Sequence, residues 1–230
     1  SIIIWRKEES AKVIYHEMAH CLSLDFDMPD KIITKIRQMF DLPSDIEIRI
    51  YESYVEMWGL IFNSSFISNL LNIDIKTIIN HEISFSLFQV AKILKHFGFQ
   101  SWNQFYKPEI SDKNQTTYTN IKPVFKQKSS IFSYYIIKAS LLYHIDVFIN
   151  WCYENINTND NSNLPINFTD FKNGSNYDKY YDLIEFCCDD IHFQESIDLI
   201  LHNYDDLFNN CNINDKNFLR NTLRMTCYEI

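Results

Sequence analysis

The stretch VIYHEMAHCL at residues 13–22 is the part of the chain from which both its fold and its chemistry can first be inferred. It carries the pattern His-Glu-x-x-His, with His16 and His20 four positions apart and Glu17 beside the first histidine. On a helix, residues four apart lie on one face, so both imidazoles can reach one metal ion while Glu17 reaches a water molecule on it. The stretch therefore predicts a zinc-binding helix, and a zinc hydrolase is the leading hypothesis.

The alternative interpretation of this stretch is a buried amphipathic helix whose two histidines hydrogen-bond to core carbonyl groups. Lys12 and Glu17 are the only fixed charges between residues 11 and 23, so the helix is suited to burial on either interpretation. A zinc site of this kind also needs a third protein ligand. Six residues after His20 stands Phe26 rather than a third histidine, so the extended pattern HExxHxxGxxH of the metzincins is excluded.

The next candidate ligands are Glu52 and Glu56, which lie four positions apart in the largely apolar stretch 50–60. Carboxylates at this spacing repel each other, and on an apolar helix they must be paired or bind metal. The sequence therefore predicts that these two acids take part in the site. The alternative is that both lie on a solvated helix face.

This combination resembles the gluzincins, the clan of thermolysin and angiotensin-converting enzyme, in which HExxH is followed on a later helix by Glu-x-x-x-Asp. The resemblance implies that Glu52 is the third zinc ligand. It also implies that Glu56 hydrogen-bonds one of the ligand histidines without binding the metal itself. The clan more often has aspartate at this position. The resemblance is confined to residues 13–22 and 51–56, so it identifies a chemistry rather than a substrate.

By this resemblance the chain is expected to hydrolyse peptide bonds in a peptide or protein substrate, with Zn²⁺ held by His16, His20 and Glu52. Glu17 would act as general base on a water at the open fourth position and then pass the proton to the leaving amine. The oxyanion needs a further hydrogen-bond donor, which in this clan is usually a tyrosine or histidine from the later half of the domain. The candidates here are Tyr134, Tyr135, Tyr143, His144 and His192.

Two other functions stay open. One is a catalytically inactive structural or virion-associated protein that retains a zincin-like zinc site. The other is a purely structural zinc site, closed by another side chain such as Cys21. The intact Glu17 argues against both, because a structural site has no use for a base.

Composition predicts a mainly α fold. A chain of 230 residues with 46% hydrophobic residues can bury a large core, and three Gly and five Pro favour long helices joined by Asn- and Asp-rich loops. We predict a zincin-like metal-binding subdomain at 1–105, with at most a small β element at 2–5, a loop at 106–128 and a C-terminal helical subdomain at 129–230. Helices are predicted at about 8–24, 30–40, 48–71, 75–97, 129–155, 177–188, 189–203 and 215–228.

The charge of −9 and the pI near 5.2 argue against nucleic acid as a partner. The longest apolar run, 131–151, is broken by Lys138, His144 and Asp146, so no membrane span is expected. No secretory signal is visible, although a chain that begins at Ser1 does not reveal its native N-terminus. Six cysteines without CxxC spacing fit reduced thiols, and we expect a cytoplasmic or virion-associated protein. Abundant Phe, Tyr, Ile, Asn and Lys suggest an AT-rich viral or parasite genome.

Overall fold

The structure is a computed structural model, and it describes residues 9–22, 24, 26–108, 123–155, 174–209 and 211–228. Throughout these residues the regular secondary structure is helical and contains no strand, which confirms the mainly α fold class. The extended segment predicted at 2–5 lies outside the described residues, as does most of the loop predicted at 106–128.

The described residues of the first half of the chain form five helices: α1 (Ser10–Cys21), α2 (Asp30–Met39), α3 (Tyr51–Leu71), α4 (Ile75–Phe97) and the short α5 (Trp102–Phe105). The second half begins with a π-helix at Phe132–Ile137, which continues into α6 (Lys138–Tyr143) and is followed by α7 (Ile145–Glu154). It ends with α8 (Ser175–Asp189), α9 (Ile191–His202), a 3₁₀ turn (Asp206–Phe208) and α10 (Ile213–Asn221).

The centre of the fold is α3. Its first half is buried nearly all round, as expected of a helix without a polar face. It packs against α1, α4, the π-helix and α6, while α4 packs against α9. Elements of the two predicted subdomains therefore pack together around α3. No helix in the described part of the chain is both long and apolar enough to cross a membrane.

Local signals account for the bounds of α4, which are the predicted ones. The Asp74 side chain accepts a hydrogen bond from the backbone N–H of Lys76 and so caps the first turn. Gly98 ends the helix at φ +88°, a left-handed conformation that favours glycine.

Two predicted helices differ from the structure. The single helix predicted at 129–155 is wrong: the chain forms a π-helix and α6, and α7 restarts after His144, whose backbone lies outside the helical region. The helix predicted at 215–228 ends at Asn221. Beyond Asn221 the chain is not helical but hydrogen-bonds to other parts of the structure. The backbone N–H of Met225 donates to Glu9 Oε1 over 2.7 Å, and the Thr226 hydroxyl donates to Glu82.

Candidate metal centre

Three potential metal ligands meet where α1 packs on α3. The two histidines of α1 project their Nε2 atoms to within 3.0 Å of each other. Glu52 lies in the first turn of α3, and its Oε2 is 3.5 Å from His16 Nε2 and 3.7 Å from His20 Nε2. Among the described residues, these are the side chains whose ligand atoms gather closely enough, within 4.8 Å of one another, to hold a metal ion.

The spacing of the three atoms fits zinc. Bonds of about 2.0–2.2 Å at tetrahedral angles separate neighbouring ligand atoms by roughly 3.3–3.6 Å. The observed separations of 3.0, 3.5 and 3.7 Å bracket that range, and one point lies roughly 2 Å from all three atoms. In addition, Glu52 Oε2 is buried and accepts no hydrogen bond, a costly arrangement that a bound cation would relieve. The residues present therefore fit the metal.

Glu56 makes the contact that the resemblance implies. Its Oε2 lies 2.9 Å from His16 Nδ1, so the carboxylate accepts the Nδ1–H hydrogen bond and the ring presents Nε2 to His20 and Glu52. Burial alone would raise the pKa of Glu56, but the adjacent Lys12 and His16 lower it to about 2. The longer side chain of glutamate thus reaches the ligand histidine from this backbone position.

Lys12 is the residue of the site that sequence reasoning missed. It lies one turn before His16 on α1, is only 1% exposed, and forms an ion pair with Glu56, which is also fully buried. The available signal was its spacing of four from His16, which places both on the same buried helix face. The ammonium group of Lys12, in contact with Glu56, keeps the Glu56 carboxylate ionised beside His16.

The electrostatics of the cluster favour positive charge at its centre. Burial would lower the pKa of His16, but the side chains of Glu52 and Glu56 outweigh this and raise the pKa to about 9. Conversely, burial would raise the pKa of Glu52, but the adjacent His16 lowers it. Two carboxylates close to two imidazoles therefore attract a proton or a metal cation.

Glu17 is half-buried on α1 beside the cluster. Unlike Glu52 and Glu56, its carboxylate has neither a hydrogen bond nor an ion pair with any residue described. Its role as general base stays a prediction, and none of the described residues engages the carboxylate in another role.

The five candidate oxyanion donors lie in different places. Tyr134, on the π-helix, packs edge-on against the His16 ring with the centroids 5.8 Å apart, and its side chain interacts with Glu52. Tyr135 is buried in the core. The rings of Tyr143 and His144 contact Phe193, and His192 is exposed beside Glu195. The structure therefore brings Tyr134 to the cluster and gives Tyr143, His144 and His192 other surroundings.

Cys21, the side chain considered for closing a structural site, is exposed and does not belong to the cluster. The fourth position of a tetrahedral metal is thus without a protein ligand from the described residues. Catalytic zinc sites keep that position open, whereas structural sites close it.

Gly59 sets the distance between α1 and α3. A Cβ atom at this position would lie 3.3 Å from the Cα, Cβ and backbone N atoms of His16. Most Cβ contacts are longer, and backbone atoms cannot rotate away as the end of a flexible side chain can. The two helices approach this closely because residue 59 has no side chain.

We expect Gly59→Ala to weaken zinc binding, although alanine is the better helix former by roughly 0.5–1 kcal/mol. The methyl group would crowd the backbone of His16, and overpacking of this kind typically costs about 1–3 kcal/mol of folding stability. Where the strain is relieved by moving His16 relative to Glu52, a loss of the same size in zinc binding corresponds to roughly 5- to 150-fold in affinity. Competition with a fluorescent zinc chelator measures the effect. Gly174→Ala is the matched control, because a Cβ there meets no atom within 4 Å. Equal affinity in the two variants would show that the helices have room to spare.

The chain is 25% identical over 194 residues to an uncharacterized protein of Acanthamoeba polyphaga mimivirus. The match covers 80% of this chain and 43% of that protein, so the chain spans less than half of the length of its relative. No protein-family model and no solved structure matches the chain.

Proposed function

We propose that this chain is a zinc-dependent peptidase of the gluzincin type, with Zn²⁺ held by His16, His20 and Glu52. The observation that supports it most is the triangle of three ligand atoms at zinc-like separations, one of which is a buried carboxylate oxygen without a hydrogen bond. When bound, Zn²⁺ supplies Lewis acidity and lowers the pKa of a water at its open position to about 7.

The surrounding residues have distinct tasks in this proposal. Glu17, whose carboxylate is unengaged, accepts the proton of the attacking water and returns it to the leaving amine. Tyr134 donates its hydroxyl to the oxyanion of the substrate carbonyl. Burial and the charge of Glu52 raise the pKa of Tyr134, so the hydroxyl keeps its proton and remains a donor at neutral pH. Glu56 fixes the ring orientation of His16.

A second candidate function is a virion-associated protein that retains the site without turnover. The viral source of the relative is compatible with it. The unengaged Glu17 carboxylate favours the peptidase, because such a group next to the histidines serves no evident structural purpose.

Cleavage of a broad peptide library by the zinc-loaded chain, read by mass spectrometry, tests the proposal. We expect internal or terminal cleavage that stops when 1,10-phenanthroline removes the metal and returns when zinc is added back. A chain that binds one zinc ion and cleaves no peptide in the library would favour the virion-associated candidate instead.

Glu56→Gln is expected to weaken zinc binding by about 10–100-fold, because the charge that makes the His16 ring a better ligand is lost. The same change leaves the buried Lys12 ammonium without its partner, and breaking a buried pair costs about 3–5 kcal/mol of stability. Chemical denaturation and zinc competition measure the two effects separately.

The double variant Lys12→Met/Glu56→Gln separates the two roles. It removes both buried charges, so much of the lost stability should return while zinc binding stays weak. Full recovery of both properties would mean that Glu56 serves only as the counter-charge of Lys12.

A further inference from the structure

A cavity lies apart from the metal centre, between the last turns of α4, the residues that follow α9, and the end of α10. Its volume is about 490 Å³, within the range of roughly 300–1,000 Å³ typical of small-molecule sites. The residues that matter for its chemistry are Lys92, Lys95, Phe97, Tyr204, Asp205 and Arg220. No ligand candidate of the zinc cluster lines it.

Lys92 is a buried cation to which no described residue supplies a counter-charge. It is 7% exposed, and its Nζ donates to the carbonyl oxygen of Leu219 over 2.6 Å and to that of Thr222. No carboxylate among the described residues pairs with it, and burial lowers its pKa to about 8. An ammonium group has three N–H donors, so one donor is left after these two hydrogen bonds. Lys92 thus brings a positive charge and a spare donor to the cavity.

Two further cations stand at the same cavity and share one acid. Lys95 Nζ lies 2.9 Å from Asp205 Oδ2, and Arg220 Nη2 lies 2.8 Å from Asp205 Oδ1. With Lys92 this makes three positive side chains against one carboxylate, in a chain whose net charge is −9. The local excess of positive charge is therefore opposite in sign to that of the molecule as a whole.

Besides these charged groups and the polar His96, Asn221 and Thr222, the walls of the cavity are apolar. Ile93, Phe97, Ile131 and Leu223 line it, together with the ring of Tyr204. Pockets that bind organic molecules combine such walls with a few polar groups that fix one end of the ligand.

We propose that this cavity binds a small organic anion, with its carboxylate, phosphate or sulfonate group at Lys92 and Arg220 and its apolar body against Phe97 and Tyr204. The anion supplies a counter-charge that Lys92 does not receive from the described part of the chain. This site is independent of the zinc cluster and of the proposed peptidase activity.

Titration with 8-anilinonaphthalene-1-sulfonate, followed by its fluorescence, tests the proposal. We expect saturable binding at one site, competed by decanoate or phenyl phosphate but not by decyltrimethylammonium, which has a similar apolar body and the opposite charge. Binding should persist in EDTA, because the zinc ligands are not involved. Absence of saturable binding, or equal competition by the cationic compound, would overturn the proposal.

Variants locate the binding in the cavity. Lys92→Met should weaken binding at least tenfold, Arg220→Gln should weaken it, and Asp205→Asn should strengthen it by removing the competing carboxylate. Lys31→Gln is the control, since Lys31 forms an exposed ion pair with Asp178 away from the cavity. Lys92 also hydrogen-bonds the backbone at Leu219 and Thr222, so Lys92→Met can unfold that region. In that case the affinities of the Asp205→Asn and Arg220→Gln variants, which change more exposed side chains, test the assignment. Unchanged affinity in both of those variants contradicts the assignment.

Discussion

Replacement of Glu17 by glutamine is expected to lower peptide hydrolysis by about 10²–10⁴-fold, the usual contribution of a positioned general base. Glutamine keeps the size and polarity of the side chain but cannot accept the proton of the attacking water. Glu17 makes no hydrogen bond or ion pair within the described structure, so the change should leave the helix and the metal ligands intact. The fall should therefore appear in kcat, with zinc content unchanged.

Three measurements make this result specific. Zinc content and the circular dichroism spectrum of the variant should match those of the unmodified chain. Glu195→Gln, which makes the same change at an exposed position of α9, should retain full activity. Retention of activity in Glu17→Gln would remove Glu17 from the mechanism, whereas loss of zinc would show that it acts on the metal site instead.

The second large effect concerns the metal itself. Elemental analysis of the purified chain is expected to give one Zn²⁺ per molecule, and His16→Ala or Glu52→Ala should abolish binding at micromolar zinc. Each change removes one of the three atoms that lie at zinc-like separations, and the two that remain cannot complete a tetrahedral site. His202→Ala and Glu195→Ala are matched controls on exposed faces of α9. Full metal content in either ligand variant would refute the ligand assignment.

The sequence predicted best what depends on local spacing. His16 and His20 are one helical turn apart whatever α1 packs against, and the bounds of α4 follow from Asp74 and Gly98 at its two ends. The contact of Glu52 with α1 does not follow from local spacing, since it joins segments more than thirty residues apart. It was predicted from two acids in an apolar stretch together with the resemblance to a known clan.

What the sequence did not predict depends on how helices dock. The sequence does not pair Lys12 with Glu56, because the two lie 44 positions apart and meet only when α1 packs on α3. Tyr134 could not be singled out from the other aromatic candidates, since no glycine or proline marks the π-helix that carries it. The segment after Asn221 has a helical pattern, yet hydrogen bonds to Glu9 and Glu82 hold it in another conformation.

The side chains that α1 buries are Lys12, His16 and Ala19, and two of these three are ionisable. Apolar helix faces can slide along one another at modest energetic cost, but paired buried charges cannot. A slide of one turn, about 5.4 Å, would carry Lys12 away from Glu56 and strand two charges in the core, at several kcal/mol for each. The ion pair thus excludes misaligned docking of α1, and the same alignment brings His16 and His20 opposite Glu52.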